Sequence, residues 1–342
     1  MPEQRIVVIG TSAGGIDALL ATLPEIPPDF PAPILVVVHI PATAPSLLAT
    51  ILGRHARVRV EEAADRTKWK NGVLYVAAPD QHLTVEDGMI RSTRGPRENR
   101  HRPAIDPLFR SAALHFGPRA IAVVLTGSLD DGTGGAVTIK HMGGLVVVQE
   151  PSTALFPSMP SSVLEQVEAD AIVTLENLVP TLVQLVHGPV PKHRAAPGRD
   201  LDLEVRMAKL EPEALNEEER PGKPSPYSCP DCGGVLWEIA DEGHFTRFRC
   251  RVGHAFAPET MIAAQGDVLE EALWTAVKTL EETVRLSHRL AIQERERGHD
   301  WMAVRFEEKE QEARERAETI RRVLVRTDTV PVETVGDRET RM

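Results

Sequence analysis

The 342 residues exceed what a single hydrophobic core usually serves, so we expect two or more domains. Lys and Arg total 39 against 50 Asp and Glu, and the net charge of -11 argues against binding to nucleic acid or anionic membranes, because both need a cationic surface. No apolar run approaches the roughly 20 residues that span a bilayer, and no signal peptide precedes the first apolar segment, so we expect a cytoplasmic protein without membrane insertion.

Short β-branched runs alternate with helical patterns through the first part of the chain. The runs are apolar on both faces, which is typical of parallel strands covered by helices on both sides. We therefore predict a three-layer, Rossmann-like α/β domain over residues 1–188. Its predicted strands are 5–10, 33–39, 72–78, 120–127, 145–150 and 171–174, and its predicted helices are 15–23, 46–53, 106–116, 134–142, 161–167 and 175–187.

The apolar periodicity disappears after this domain. Residues 189–226 are rich in proline and charge, which predicts a linker with one short helix around 205–215. Residues 227–257 form a compact unit that holds every cysteine. Apolar residues then recur at helical spacing, which predicts a helical hairpin over 258–327 and a disordered tail over 328–342. The hairpin either packs on itself and on the cysteine unit, or dimerises, or binds a receptor or kinase helix.

The first predicted strand ends in a glycine-rich turn that contains Ser12. A side chain there lies at the carboxyl edge of a parallel sheet, next to the unpaired N–H groups of a helix start. Such a turn alone more often cradles a nucleotide phosphate, or supplies a serine that caps the helix. Its glycine spacing is not that of a dinucleotide fingerprint, and no lysine follows to make a P-loop. A nucleophilic serine is therefore one of several interpretations of the turn alone.

Two further polar sites follow other strands at the same edge. His39 ends the second strand, and Asp130 and Asp131 follow a later one. A lone histidine or an Asp-Gly turn is usually structural. A serine, a histidine and a carboxylate at one sheet edge, however, form a plausible catalytic triad, whose members can occur in any chain order.

These residues lie in motifs that resemble the catalytic domain of the chemotaxis protein-glutamate methylesterases, the CheB type. The resemblance covers about residues 5–186 and implies a serine hydrolase without a catalytic cofactor. It implies removal of methyl esters from glutamate side chains of a chemoreceptor or related signalling protein, and in some members deamidation of glutamine. The motifs occur in the order Gly10-Thr11-Ser12-Ala13-Gly14-Gly15, His39-Ile40-Pro41, Ala78-Pro79-Asp80-x-His82-Leu83, Arg100-His101-Arg102-Pro103-Ala104-Ile105-Asp106 and Leu125-Thr126-Gly127-x-x-x-Asp131-Gly132.

The resemblance also implies roles for individual residues. Ser12 matches the nucleophile and His39 the general base. Asp131 rather than Asp130 matches the aspartate of the family, because it directly precedes the motif glycine. Backbone amides near residues 11–13 and 127–128 are the candidates for the oxyanion hole. Arg102 either shapes the substrate cleft or ties down a loop.

Two departures from the family pattern bear on these roles. The family usually has Met-Gly where this sequence has Ser128-Leu129, so we expect weaker activity or altered substrate choice if the backbone there serves the oxyanion hole. Chemotaxis members usually begin with a phospho-accepting receiver domain, whereas this sequence starts at the first strand of the catalytic domain, so activation by phosphorylation in cis is not expected. An esterase for another substrate, and a binding module that keeps the fold without the activity, are the alternative interpretations.

The cysteine unit predicts a metal site. Cys229, Cys232, Cys250 and His254 have the spacing Cys-x2-Cys-x17-Cys-x3-His, which suits a closed tetrahedral zinc set in a ribbon-like hairpin. A unit of about 30 residues cannot bury enough apolar surface to fold unaided, so we predict a structural Zn²⁺. Four protein ligands leave no open position for catalysis. The alternatives are three free cysteines, or His244 in place of His254.

Overall fold

The computed structural model describes residues 4–86, 88–191, 195–240 and 245–327. The chain forms two compact units, residues 1–262 and 263–342. No helix in these described ranges is both long enough and apolar enough to cross a bilayer.

The first unit begins with an α/β domain. Its elements are β1 (Ile6–Thr11), α1 (Gly15–Thr22), β2 (Ile34–Val38), α2 (Leu48–Gly53), β3 (Arg59–Glu62), β4 (Thr67–Lys68), β5 (Val73–Val76), β6 (His82–Glu86), β7 (Met89–Thr93), α3 (Ile105–Phe116), β8 (Ala120–Val124), α4 (Thr133–His141), β9 (Leu145–Gln149), α5 (Ser158–Gln166), β10 (Ala171–Val173) and α6 (Leu175–His187). Seven strands form a parallel sheet in the order β10-β9-β8-β1-β2-β5-β3. Every strand and helix predicted for this domain is present, with bounds that differ by a few residues at most.

The strands of this sheet are apolar on both faces because helices cover both sides. Ile6 and Val8 of β1 belong to one buried cluster with residues of α3, α4 and α5. Val7 and Ile9, which alternate with them, belong to a second cluster with residues of α1, α2 and α6. The predicted three-layer α/β fold is confirmed.

The sequence did not predict β3, β4, β6 and β7. The residues of β3 are exposed or half-buried at the edge of the parallel sheet, so the strand lacks a continuous apolar run. The other three strands form a separate antiparallel sheet in the order β4-β7-β6. Its buried residues Leu83, Val85 and Ile90 join the same cluster as α3.

The first unit continues with two helices and a small antiparallel sheet. These elements are α7 (Arg199–Ala208), α8 (Pro212–Asn216), β11 (Lys223–Ser228), β12 (Val235–Ala240), β13 (Thr246–Cys250) and β14 (Ala255–Phe256). The strands pair in the order β11-β12-β13-β14, and we call residues 223–257 the ribbon. The segment 189–226, predicted as a linker, contains α7 and α8. The buried residues of α7 include Leu203, Val205 and Met207. His244 lies outside the described residues.

Two long helices follow the ribbon. α9 (Pro258–Glu296) begins in the first unit and continues into the second, where α10 (Asp300–Thr327) follows it. Arg295 pairs with Glu307 at 2.6 Å, and Arg321 pairs with Glu281 farther along, so the two helices of the second unit form the predicted antiparallel hairpin. Residues 328–342, predicted as disordered, lie outside the described residues.

Candidate active site

Ser12 lies in a sharp turn between β1 and α1. Its N–H donates to the Thr126 carbonyl at 3.0 Å, and its own carbonyl accepts from the Gly15 N–H at 2.9 Å. Gly14 has a φ of 74°, in the left-handed region that favours glycine. Gly14 also occupies the cap position of α1, without a side-chain cap bond, so capping by Ser12 is not its role here.

His39 follows β2, the strand that pairs with β1. Its Nδ1 lies 3.0 Å from Ser12 Oγ, and its Nε2 lies 2.7 Å from Asp131 Oδ2. An ionised carboxylate only accepts hydrogen bonds, so Nε2 carries the proton and Nδ1 presents its lone pair to the serine hydroxyl. The side chain of His39 is only 5% exposed, which fixes the ring between its two partners.

Asp131 is held by several hydrogen-bond donors besides His39. The N–H groups of Ile105 and Asp106 at the start of α3 donate to it at 2.7 and 3.2 Å, and Asn99 Nδ2 donates at 2.7 Å. Burial raises the pKa of the Asp131 carboxyl, but the bond and charge of His39 together with these donors outweigh it, so the pKa lies well below its ordinary value. Asp131 therefore stays ionised opposite the imidazole.

Asp130 has a different environment from its neighbour. Its carboxylate accepts from the N–H groups of Glu259 and Thr260 at 2.8 and 3.2 Å, and from the Thr260 hydroxyl at 2.5 Å. These groups belong to the first turn of α9, so Asp130 satisfies helix N–H groups, whereas Asp131 faces the histidine.

Three residues of the site were not predicted from the sequence. The ring of His101 stacks on that of His39, and burial, with the charge of His39, lowers the pKa of His101 to about 4. Asn99 donates to both Asp131 and Asp106, at 2.7 and 3.0 Å. Burial and the nearby Asp131 charge raise the pKa of Asp106. His101 and Asp106 lie in the motif at 100–106, which marked the segment as important but carried no signal for their roles.

Arg102 makes the contacts of a residue that ties down a loop. Its Nε and Nη2 donate to Asp80 at 2.8 and 2.6 Å, and its Nη1 donates to the Gly95 carbonyl at 2.8 Å. Of the two roles left open for Arg102, these contacts match loop anchoring.

Few backbone N–H groups near Ser12 are available to bind an oxyanion. The Ser12 N–H donates to Thr126, and the Gly127 N–H donates to the Phe156 carbonyl at 3.0 Å. Both N–H groups are therefore occupied. In the described part of the chain, the N–H groups of Ala13 and Ser128 have no hydrogen-bond acceptor within the protein, so they are the remaining candidates.

The four predicted metal ligands converge in the ribbon. Cys229, Cys232, Cys250 and His254 each offer a ligand atom, and these atoms lie within 4.8 Å of one another. The Cys232 and Cys250 sulfurs are 3.8 Å apart, and His254 Nδ1 lies 3.7 and 3.6 Å from the sulfurs of Cys229 and Cys250. Tetrahedral zinc with Zn–S bonds of about 2.3 Å places its sulfurs about 3.8 Å apart. The four residues therefore fit a closed zinc site.

Residues 7–182 match the family model for the CheB methylesterase. The chain belongs to the CheB methylesterase family. The family match ends within α6, so α7, the ribbon and the two long helices lie beyond it.

Individual relatives agree with this assignment to the CheB methylesterase family. A protein of Leptospira interrogans is 39% identical over 184 residues, which cover 54% of this chain and 95% of that protein. The protein-glutamate methylesterase/protein-glutamine glutaminase of Geobacillus kaustophilus is 38% identical over 190 residues, which cover 54% of each chain. The crystal structure of the Thermotoga maritima CheB methylesterase catalytic domain superposes with a TM-score of 0.51 at 36% identity, over 53% of this chain and 98% of that one.

Proposed function

We propose that the chain is a serine hydrolase that removes methyl esters from glutamate side chains of a chemoreceptor or related signalling protein, with glutamine deamidation as a second reaction of the same site. The observation that carries the proposal is the 3.0 Å contact of Ser12 Oγ with His39 Nδ1, in a chain of the CheB methylesterase family. The substrate class comes from the names of relatives such as the Geobacillus kaustophilus protein.

The proposed reaction has two halves. His39 Nδ1 takes the Ser12 proton while Oγ attacks the ester carbonyl, and the same nitrogen returns the proton to the departing methanol. Water then attacks the resulting glutamyl-serine ester, with His39 again as the base, and the products are a free glutamate side chain and Ser12. Asp131 holds the imidazole in the required tautomer and stabilises its protonated form.

The developing negative charge on the carbonyl oxygen needs hydrogen-bond donors that are not already occupied. We assign this role to the N–H groups of Ala13 and Ser128, because the neighbouring N–H groups of Ser12 and Gly127 donate to backbone carbonyls.

The test is methanol release from methylated receptor, and from a peptide with a glutamate methyl ester. We expect turnover by wild type and a loss of several orders of magnitude in Ser12→Ala, with Ser152→Ala as a control on an exposed serine. Equal rates for wild type and Ser12→Ala would contradict the proposal. No turnover of either substrate by wild type would favour a binding module that keeps the fold.

We propose that Cys229, Cys232, Cys250 and His254 hold one structural Zn²⁺. The supporting observation is the spacing of their ligand atoms, which fits tetrahedral coordination and leaves no position for a substrate. Elemental analysis of the purified protein is expected to find one zinc per chain. Cys232→Ser is expected to lose it, whereas the control Val235→Ala, on an exposed ribbon residue, is expected to retain it. Zinc-free wild type would contradict this proposal.

We further propose that the hairpin of the second unit binds a helical partner, such as a kinase. Trp274 and Trp301 are 52% and 68% exposed, and aromatic side chains are enriched at protein interfaces. Replacing both tryptophans with alanine is expected to weaken binding to the receptor or kinase of the same pathway. Unchanged binding in a sedimentation titration would contradict this part of the proposal.

A further inference from the structure

Residues 97–101, which we call the 97–101 loop, contact two members of the proposed triad. His101 stacks on the ring of His39 with 3.7 Å between ring centroids, and Asn99 donates to Asp131 at 2.7 Å. A displacement of this loop therefore displaces the supports of both the histidine and the aspartate.

The Asn99 amide has one possible orientation. Its Nδ2 donates to Asp131 Oδ1 and to Asp106 Oδ2, while its Oδ1 accepts from the Ala257 N–H at 2.7 Å. Carboxylates accept and a backbone N–H donates, so an exchange of the two amide ends would break all three bonds. Asn99 is 2% exposed, and its amide links the triad carboxylate directly to the ribbon backbone.

The backbone of the 97–101 loop also pairs with the ribbon. The Asn99 N–H donates to the Ala255 carbonyl at 2.7 Å, and the Ala255 N–H donates to the Arg97 carbonyl at 3.3 Å. Ala255 directly follows His254. A Cβ on Gly253 would lie 2.8 Å from the Pro96 ring, so the turn that carries two of the metal ligands packs tightly against the residue before the loop.

Buried ion pairs also join the ribbon to the 97–101 loop. Glu98 accepts from Arg249 Nη2 at 3.0 Å and pairs with Arg110 of α3, while Arg249 Nε also donates to Glu204 of α7 at 2.9 Å. Each of these side chains is 2% exposed or less. Arg249 directly precedes Cys250. Removing one partner from a buried pair is strongly destabilising, so a displacement of Arg249 with the ribbon is expected to displace Glu98 and the 97–101 loop as well.

We propose that Asn99 is a positioning residue for the triad carboxylate, and that the metal-bound ribbon holds Asn99 in place. Loss of the metal held by Cys229, Cys232, Cys250 and His254 is then expected to release Ala255 and Ala257. The 97–101 loop moves as a result, and Asp131 loses the Asn99 amide that orients it. The ribbon is thus part of the esterase site without contacting the substrate. This inference rests on the proposed serine esterase activity.

The first test compares Asn99→Ala with Asn177→Ala, a control on an exposed asparagine of α6. Misplacement of a catalytic group by about 1 Å can cost on the order of 100-fold in rate, so we expect a loss of that order in kcat for Asn99→Ala. KM is expected to stay unchanged, because Asn99 acts through Asp131 and not on the substrate. Wild-type kcat in Asn99→Ala would overturn the proposal.

The second test combines this variant with removal of zinc by a chelator in the full-length chain. Wild type is expected to lose kcat by a similar factor when stripped. Stripping Asn99→Ala is expected to add little, because both changes break the same connection to Asp131. Losses that multiply independently would overturn the proposal.

Hydrogen exchange gives a readout that needs no turnover. Stripping zinc from wild type is expected to raise amide exchange in the 97–101 loop and the ribbon while β1 and β2 stay protected. Loss of protection in β1 and β2 as well would overturn the proposal, because the metal would then stabilise the whole domain.

Labelling of Ser12 by a fluorophosphonate distinguishes a failure of the esterase assignment from a failure of the proposed role of Asn99. If zinc-loaded wild type neither releases methanol nor is labelled, the esterase assignment fails. If it does both and Asn99→Ala behaves identically, only the role of Asn99 and the ribbon fails.

Discussion

The imidazole rings of His101 and His39 lie parallel, with 3.7 Å between centroids and 12° between planes. His39 is thus held by a hydrogen bond at each ring nitrogen and by a second ring on its face. Because a protonated His101 would place a second positive charge against His39 whenever His39 is charged, the stack favours a neutral His101.

The neutral state of His101 predicts a specific pH dependence of stability. Its pKa falls from 6.5 to about 4, chiefly through burial, so between these values the unfolded chain binds more protons than the folded one. The free energy of unfolding is therefore expected to fall as the pH drops from 6.5 to 4. In His101→Phe, which retains a stacked ring without a titrating group, the fall is expected to be smaller. Urea unfolding of both proteins across this pH range measures the difference. The same dependence of the free energy of unfolding on pH in both proteins would contradict the prediction.

Asp130 and Asp131 are expected to differ in how much their substitution lowers kcat. Asp131→Asn is expected to lower kcat by about 10⁴-fold, as loss of the correct histidine tautomer does in other triads. It is also expected to lower the free energy of unfolding, because each oxygen of the buried carboxylate accepts from two donors and an amide NH₂ in either place would face N–H groups. Asp130→Ala is expected to lower the free energy of unfolding by about 1–2 kcal/mol, because the N–H groups of Glu259 and Thr260 lose their acceptor. Each variant is the control for the other. A loss of kcat in Asp130→Ala as large as that in Asp131→Asn would contradict the assignment of Asp131, rather than Asp130, to the triad.

Leu129 adopts a φ of 63°, in the left-handed region, at the position where the family usually has glycine. This conformation costs a residue with a Cβ about 1 kcal/mol or more relative to glycine. We expect Leu129→Gly to be more stable than Leu129→Ala, the reverse of the usual order of these residues. Urea denaturation of the two variants measures the difference. Greater stability of Leu129→Ala would show that the backbone there is not strained.

Glu204 is a fully buried carboxylate between Arg247 and Arg249. Burial opposes its ionisation, but the two guanidinium groups outweigh it and lower the pKa well below the ordinary value. Glu204→Gln removes this charge, and we expect a loss of roughly 3–5 kcal/mol in the free energy of unfolding. Glu217→Gln, on a half-exposed glutamate that pairs with Arg199 at 2.9 Å, is the control and is expected to change it by about 0.5 kcal/mol or less. Similar losses in both variants would contradict a buried ion cluster.

The parallel sheet could be predicted because β1, β2 and β8 are short, continuous, β-branched apolar runs, which are typical of strands covered on both faces. α7 could not be predicted with the same success. Its apolar residues Leu203, Val205 and Met207 alternate, and its buried face also contains Glu204, whose partners lie in β13. The many charges of this segment favour a linker over a packed helix when the sequence alone is considered.

Part of the candidate site could be predicted from the sequence in the same way, and part could not. Ser12, His39 and Asp131 each follow a predicted strand of one parallel sheet, so the sequence predicted that they share one edge of that sheet. Asn99 binds Asp131 and Ala257, which are distant from it in the sequence and from each other. No spacing or period in the sequence encodes such a contact.

The assignment of all three cysteines of the chain to one cluster gives the protein an internal reporter. A colorimetric thiol reagent added to the native chain can react only with the sulfurs of the proposed zinc site. Each emptied site offers up to three thiols, so the number of reactive thiols per chain reports the fraction of empty sites without a mutation or an attached dye. Because the chain has no other thiol to add background, that count and the rate of ester hydrolysis can be followed on parallel portions of one sample.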